Sequence, residues 1–185
     1  LEGFYYRPRI DKELLSLHHR GLIGMSACLH GEIADRILHG DEAGALKAAE
    51  DYRSLFGEGN FYLEIMKNGL AEQERVNTGL AEIGRKLGIP LVATNDCHYL
   101  EKKDAEAHEV LLCIQTGKTL QDRERMRFGT DAFYFRSPEE MVRLFGDYPE
   151  AVANTAVIAQ RCNFRFEFGK FYLPHFDVGA DETLD

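Results

Sequence analysis

The sequence has no long hydrophobic run and no recognisable export signal, and both absences exclude a class of protein. No stretch approaches the ~20 apolar residues that a membrane-spanning helix requires, so we predict no membrane partner. The first residues, a mixed aromatic and basic segment that includes Glu2, do not have the pattern of a secretory signal. We therefore expect a cytoplasmic protein.

Cysteine is also scarce. The four cysteines are widely spaced and include no Cys-x-x-Cys pair. A disulfide framework is typical of small secreted domains and is not expected in a chain of 185 residues. We expect reduced thiols. The sequence also has no P-loop, no Gly-x-Ser-x-Gly elbow and no Ser-His-Asp order worth assigning to a hydrolase.

Positive charge is in deficit. The net charge is −9 and the isoelectric point is about 5.3, which argues against a nucleic-acid binder that acts alone. It does not exclude a module whose basic surface lies on another domain. One basic stretch, KTLQDRERMR, is either a solvated loop or a contact with nucleic acid or a neighbouring domain.

Hydrophobic residues make up 44% of the sequence and charged residues 29%, which is typical of one globular domain with a real core. Apolar runs alternate with helical patterns, which predicts a parallel sheet covered on both faces. The predicted strands span residues 22–27, 60–66 and 90–95, and the predicted helices span residues 41–56, 71–87 and 104–114. Further along, Ser137 and Pro138 predict a helix start, a second helix opens at Pro149, and residues 132–137 suggest a strand.

Polar and ionisable residues follow each predicted strand. Cys28 follows the first, Lys67 and Asn68 the second, and Asp96 and His98 the third. Ligands of parallel sheets gather at the carboxyl ends of the strands. An Asp and a His two apart on an extended chain point to the same side, where both can bind one zinc or manganese ion. Such an ion could activate water and hold a phosphate oxygen in phosphoester hydrolysis.

Other interpretations of these residues stay open. An Asn-Asp pair after a strand is common turn chemistry, and a neighbouring His is often a capping donor. Cys28 alone is more often a small buried hydrophobe than a ligand. Cys97 should point away from its two neighbours, into packing, and His108 should pack on its helix rather than bind metal. Glu64 either joins an internal network or pairs with Lys or Arg.

Five segments carry a family resemblance: GLIGMSACLHGEI, NFYLEIMKNGLAEQ, GIPLVATNDCHYLEKKDAEAHEVLLCIQTGKTL, FYFRSPEEMVRLF and CNFRFEFGKFYLPHF. In that order they resemble the PHP (polymerase and histidinol phosphatase) domain of the bacterial DNA polymerase III alpha subunit, over essentially the whole chain. The resemblance implies an α/β fold, a distorted (β/α)7 barrel that is partial here, with an additional helix-rich C-terminal part.

The resemblance also implies a cluster of divalent metal ions (zinc, manganese or magnesium) at the carboxyl ends of the barrel strands. Cys28 matches the family's ligand in the Ser-Ala-Cys segment, and Asp96 and His98 match the Asp-x-His pair of its last motif. The family's remaining ligands would lie upstream of Leu1, and the polymerase palm would lie downstream of Asp185.

The resemblance implies that the chain divides into three parts. Residues 1–117 would be the later β/α units of the barrel, residues 118–173 a helical extension that completes the PHP domain, and residues 174–185 a linker toward the polymerase palm. Because no palm residue is present, we expect this segment alone to be inactive in polymerisation.

Two functions remain open under the resemblance. In the first, the region contributes ligands to a metal-dependent 3′–5′ exonuclease site of a replicative DNA-directed DNA polymerase. In the second, it is a catalytically silent structural or partner-docking domain of that polymerase. The implied partners are DNA, bound through the parent polymerase, and other replicative holoenzyme subunits, with the proofreading exonuclease subunit as a candidate.

Overall fold

The computed structural model describes residues 4–171, and in this range the chain forms a small parallel sheet with helices around it. In chain order the elements are β1 (Phe4–Tyr5), β2 (Arg7–Pro8), α1 (Lys12–His18), β3 (Gly24–Met25), α2 (Glu32–Leu38), α3 (Glu42–Phe56), β4 (Phe61–Met66), α4 (Ala71–Leu87), β5 (Leu91–Thr94), a 3₁₀ turn (Lys102–Asp104), α5 (Ala105–Thr116), α6 (Pro138–Leu144) and α7 (Pro149–Arg161).

The central sheet has the order β3-β4-β5, and both pairings are parallel. Its register aligns Leu63 with Leu91 and Met66 with Thr94. The α/β class and the parallel sheet are therefore confirmed. Among residues 4–171 the sheet has three strands, with β1 and β2 forming a separate antiparallel pair. These residues do not show a closed seven-stranded barrel, which stays a prediction.

β4 is the central strand of the sheet, and its residues lie at the centre of the core. Leu63 and Ile65 are fully buried, and their neighbours Phe61, Tyr62 and Met66 are nearly so. From one side α4 contributes a stripe at helical spacing, consisting of Val76, Leu80 and Ile83. No helix in the described part of the chain is both long and apolar enough to cross a bilayer.

The strongest helix signals in the sequence give the best agreement with the structure. α4 has the predicted bounds, and Gly88 follows it in the left-handed conformation. The sequence patterns do not predict α2, although Ile33, Ala34 and Ile37 are buried at helical spacing. This helix has seven residues, and its N-cap, Gly31, makes no side-chain capping bond, so the sequence carries little start signal.

The C-terminal part divides into an irregular segment and a helical hairpin. Residues 118–136 contain no helix, and the predicted strand at 132–137 is reduced to one bridge between Tyr99 and Tyr134. α6 begins with the predicted capping box of Ser137. α7 packs along β5, where Asn154 Nδ2 donates to Leu91 O at 2.7 Å. The boundaries at 117 and 173 stay predictions, and the predicted linker lies outside the described residues.

Candidate metal centre at the carboxyl ends of the strands

The carboxyl ends of β3, β4 and β5 lie at one edge of the sheet, because the three strands are parallel and adjacent. We call the loops at this edge, residues 26–31, 67–70 and 95–98, the carboxyl rim. All of the buried polar residues in the described part of the chain lie at or beside it: Ser26, Asn68, Gln73 and Asn77. Buried polar groups are costly unless they are paired, so this concentration marks the rim as a specialised part of the fold.

The loop that carries Cys28 begins where β3 ends. At this point a side chain takes the place of a backbone acceptor: Ser26 Oγ accepts the backbone N–H of Glu64 at 2.8 Å. Ala27 then adopts a positive φ of 63°, which is unusual for a residue with a Cβ and turns the chain away from the sheet. Cys28 follows in this turn, half-buried and with a free thiol.

The end of β4 is completed by an amide side chain. Asn77 Nδ2 donates to Met66 O at 2.6 Å, and Asn77 Oδ1 accepts from Met66 N at 3.2 Å. Beyond it, Lys67 Nζ lies 3.5 Å from Asp147 Oδ2, and the buried Asn68 accepts from Leu70 N. Glu64 forms no ion pair with the described residues, so the predicted pairing of Glu64 with Lys or Arg is not found.

The Asp96–His98 pair is formed as the sequence suggests, but for a different physical reason. Asp96 Oδ1 and His98 Nε2 are 3.3 Å apart. The chain is not extended here: Asp96 has a positive φ of 55°, a conformation that Asp adopts more readily than most residues. Cys97 is exposed and accepts from Asn95 Nδ2 at 3.0 Å, so the prediction that it packs inward is wrong.

An aromatic cluster packs against the ring of His98, whose side chain is still 35% exposed. The centroid of this ring lies 4.7 Å from that of Phe128 and 5.3 Å from that of Phe133, and both contacts are nearly perpendicular. The His98 backbone N–H donates to Phe133 O at 2.8 Å. Both the ring and the backbone of His98 are thus held by one segment of chain. Sequence patterns do not reveal these two phenylalanines, because they are 30 and 35 residues away from His98 along the chain.

His108 completes this cluster from α5. Its ring lies 5.5 Å from that of His98 and 4.9 Å from that of Phe128. Burial lowers the pKa of His108, and the neighbouring imidazole of His98 lowers it further, whereas the carboxylate of Glu109 opposes the shift. A neutral imidazole is favoured here. The ring of His108 packs against aromatic neighbours, and its predicted role in packing rather than metal binding stays a prediction.

A second network holds the other side of the 95–98 loop. Arg136 Nη1 donates to Asn95 Oδ1 at 2.5 Å, and Asn95 Nδ2 donates to Tyr134 O. Tyr134 donates its hydroxyl to Glu140 at 2.6 Å, and this hydrogen bond raises the pKa of Tyr134. Because Glu140 also closes the capping box of α6, the loop is tied to a regular element.

The Asp96–His98 geometry suits two ligands of one metal ion. In a tetrahedral zinc site with donors at 2.0–2.1 Å, neighbouring donor atoms are about 3.3 Å apart, and the two atoms here are separated by 3.3 Å. A hydrogen-bonded pair has a similar spacing. Within residues 4–171 no three His, Cys, Asp or Glu residues lie close enough to hold one ion. Cys28 shares the rim but does not form such a group with the pair, so the described residues fit a half-site.

Comparison with known proteins identifies the class. The family model of the PHP domain matches residues 1–68. The matched region contains Cys28 and ends at Asn68, before the Asp96–His98 pair. The chain therefore contains PHP-domain sequence, in agreement with the parallel α/β architecture.

Individual relatives are more specific. DNA polymerase III subunit alpha of Treponema pallidum is 46% identical over 178 residues, which is 96% of this chain and 15% of the relative. The subunits of Deinococcus radiodurans and Thermus aquaticus are 46% and 44% identical over 191 residues, each match covering 99% of this chain and 14% and 15% of the relative. The chain is thus a homologue of bacterial DNA polymerase III alpha subunits, and it spans about 15% of the length of the relatives it matches.

Proposed function

We propose that this chain is part of a replicative DNA-directed DNA polymerase and contributes ligands to a metal-dependent 3′–5′ exonuclease site. Asp96 and His98 would hold a divalent ion (zinc, manganese or magnesium), with Cys28, in the loop after β3, as a further ligand. The observation that carries the proposal is the Asp96–His98 pair, held at the carboxyl rim by the aromatic cluster. DNA and other replicative subunits would be its partners, in the cytoplasm.

The chemistry of the pair suits this function. A bound divalent ion would supply an activated water and charge stabilisation for hydrolysis of the terminal phosphodiester. Asp96 would bind through its carboxylate and His98 through Nε2, the atom that faces Asp96. The neighbouring rings contact the ring of His98 on several sides, which fixes its orientation before an ion arrives.

The backbone gives independent support for a functional rim. In the described part of the chain the non-glycine residues with positive φ are Tyr6, Ala27 and Asp96. Two of these lie in the loops after β3 and β5, the loops that carry the candidate ligands. Strained backbone conformations cluster at functional sites, where the surrounding structure maintains them.

A structural or partner-docking role is the second candidate function. Its supporting observation is a row of exposed phenylalanines after α7: Phe164, Phe166, Phe168 and Phe171. Exposed aromatic patches mark contact surfaces, and the relatives extend far beyond the length of this chain. In this alternative the Asp96–His98 pair is a hydrogen-bonded brace of the rim and binds no metal.

Metal content after equilibration with Zn²⁺ or Mn²⁺ separates the two functions. We expect the 185-residue chain to retain metal and the His98→Ala variant to lose it. His39→Ala is the matched control, because His39 also pairs with an aspartate but lies at the exposed end of α2. Equal metal retention by wild type and His98→Ala would refute the ligand assignment, and no metal in either would favour the docking role.

The activity itself is tested in a full-length alpha subunit that carries this sequence. We expect Mn²⁺-dependent 3′–5′ cleavage of a mismatched primer, loss of that cleavage in His98→Ala, and unchanged cleavage in His39→Ala. Cys28→Ser should lower metal affinity if the thiolate is a ligand. Undiminished cleavage by His98→Ala would contradict the exonuclease proposal.

A further inference from the structure

The 118–136 segment has no helix of its own, yet it supplies two of the rings that pack against His98, those of Phe128 and Phe133. Among residues 118–136 the one strand-like contact is the bridge at Tyr134. Phe128 lies six residues before Tyr134 in the chain, too far along an irregular path for that bridge to place it. The position of Phe128 therefore depends on side-chain contacts.

One ion pair ties this segment to α5. Arg125 Nη2 contacts Glu109 Oε2, and Arg125 Nη1 lies 3.5 Å from Met126 O. The Arg125 side chain is only 8% exposed, the lowest value for any ion-pair partner in the described part of the chain. Its Nε is buried without a hydrogen-bond partner among those residues. A guanidinium is rarely buried to this extent without a structural reason.

The contacts of α5 place this ion pair next to the candidate ligand. Glu109 holds Arg125, and the preceding residue, His108, contacts the ring of Phe128 at 4.9 Å. Phe128 follows Arg125 by three residues and lies 4.7 Å from the ring of His98. Two consecutive residues of α5 therefore hold one short stretch of the irregular segment, at Arg125 and at Phe128.

We propose that Arg125 is a positioning residue for the metal half-site: its ion pair with Glu109 holds Phe128 against His98 and so fixes the direction of His98 Nε2. The metal-binding consequence rests on the proposed function, whereas the positioning itself does not. Arg125 makes no polar contact with His98 itself, since its polar partners within residues 4–171 are Glu109 and Met126.

The direct readout is the NMR shift of the His98 ring protons in the metal-free 185-residue chain. An aromatic ring at 4.7 Å displaces these signals. The difference between wild type and Phe128→Leu therefore measures how much of the displacement is due to Phe128. We expect Arg125→Met to move the His98 signals most of the way to the Phe128→Leu position. Arg123→Met is the matched control, because Arg123 is an exposed arginine in the same segment, and it should leave them unchanged.

A charge swap separates positioning from a general loss of folding. Arg125→Glu combined with Glu109→Arg restores the opposite charges, and we expect the His98 signals to return toward those of the wild type. The same variants are titrated with Mn²⁺ alone. Arg125→Met should weaken binding about 10-fold, as for other residues that orient a metal ligand, and the swap should recover it.

Three results would overturn the inference: wild-type His98 signals in Arg125→Met, an equal displacement in Arg123→Met, or a swap variant that stays displaced. Failure of the proposed function has a different signature. In that case no variant binds Mn²⁺, the wild type included, while the His98 signals still respond to Arg125.

Discussion

Two aspartate–histidine pairs in this molecule have nearly the same separation but different surroundings. Asp96 and His98 lie 3.3 Å apart at the carboxyl rim, with side chains 29% and 35% exposed. Asp35 and His39 lie 3.4 Å apart at the end of α2, with side chains 60% and 74% exposed. Among the described residues, only the first pair has aromatic rings packed against its histidine.

The difference shows what makes such a pair a good ligand set. Asp35 and His39 meet because residues four apart share a helix face, and water competes for both groups. Asp96 and His98 meet because a left-handed residue and a distant segment of chain impose one geometry. Pre-orientation lowers the entropic cost of binding an ion, so the rim pair is the better candidate.

The largest expected effect comes from removing the ring that supports the rim pair. Phe133 is 4% exposed and contacts both His98 and Phe128. We expect Phe133→Ala to lower the free energy of unfolding by about 3–5 kcal/mol, because a buried aromatic leaves a cavity. Denaturant unfolding measures this change.

Phe135→Ala is the matched control for that experiment. Phe135 lies two residues further on and is 70% exposed, so its removal should change the free energy of unfolding by less than about 0.5 kcal/mol. Similar losses for the two variants would mean that the aromatic cluster does not support the rim.

A smaller effect is expected at the end of β4. Asn77→Leu removes the partner of both the N–H and the carbonyl of Met66. We expect a loss of about 1–3 kcal/mol in the free energy of unfolding, the usual cost of leaving buried polar groups unpaired. Thr78→Ala, an exposed change on the same helix, is the control, and an equal loss there would contradict the assigned role of Asn77.

The smallest effect is expected at Asp41, two residues after the exposed Asp35–His39 pair. The backbone N–H of Gly44 and the guanidinium of Arg36 lower the pKa of Asp41, the N-cap of α3. A lowered carboxyl pKa stabilises the fold above the unfolded value of about 3.9, and this contribution is lost as pH falls through the folded pKa. Asp41→Asn keeps a capping acceptor but cannot titrate, so its stability should depend less on pH in the acid range.

Unfolding curves from neutral pH down to about pH 2.5, below the unfolded pKa of an aspartate, test this prediction. Glu42→Gln, a change at the exposed residue that follows, is the reference. If Asp41→Asn retains the full acid dependence of the wild type, the ion pair with Arg36 and the cap do not contribute to stability in the way proposed.

The sequence predicts the structure best where an element depends on interactions between residues close together in the chain. α4 and the capping box of Ser137 depend on residues within a few positions of each other, and the sequence predicts both. α2 is too short and too weakly capped to be recognised locally. The basic stretch KTLQDRERMR has the pattern of a solvated loop or an intermolecular contact, whereas its Arg125 is buried against α5.

The sequence by itself determined the parallel α/β pattern, the order of its main elements and the identity of the candidate ligands, because hydrophobic periodicity and ligand chemistry are local properties. Tertiary structure alone decided that Phe128, Phe133 and His108 pack against His98, and that Cys28 forms no three-residue ligand group with the pair among the described residues. Those contacts join residues far apart in the chain, and no local pattern encodes which distant side chains the packed core brings together.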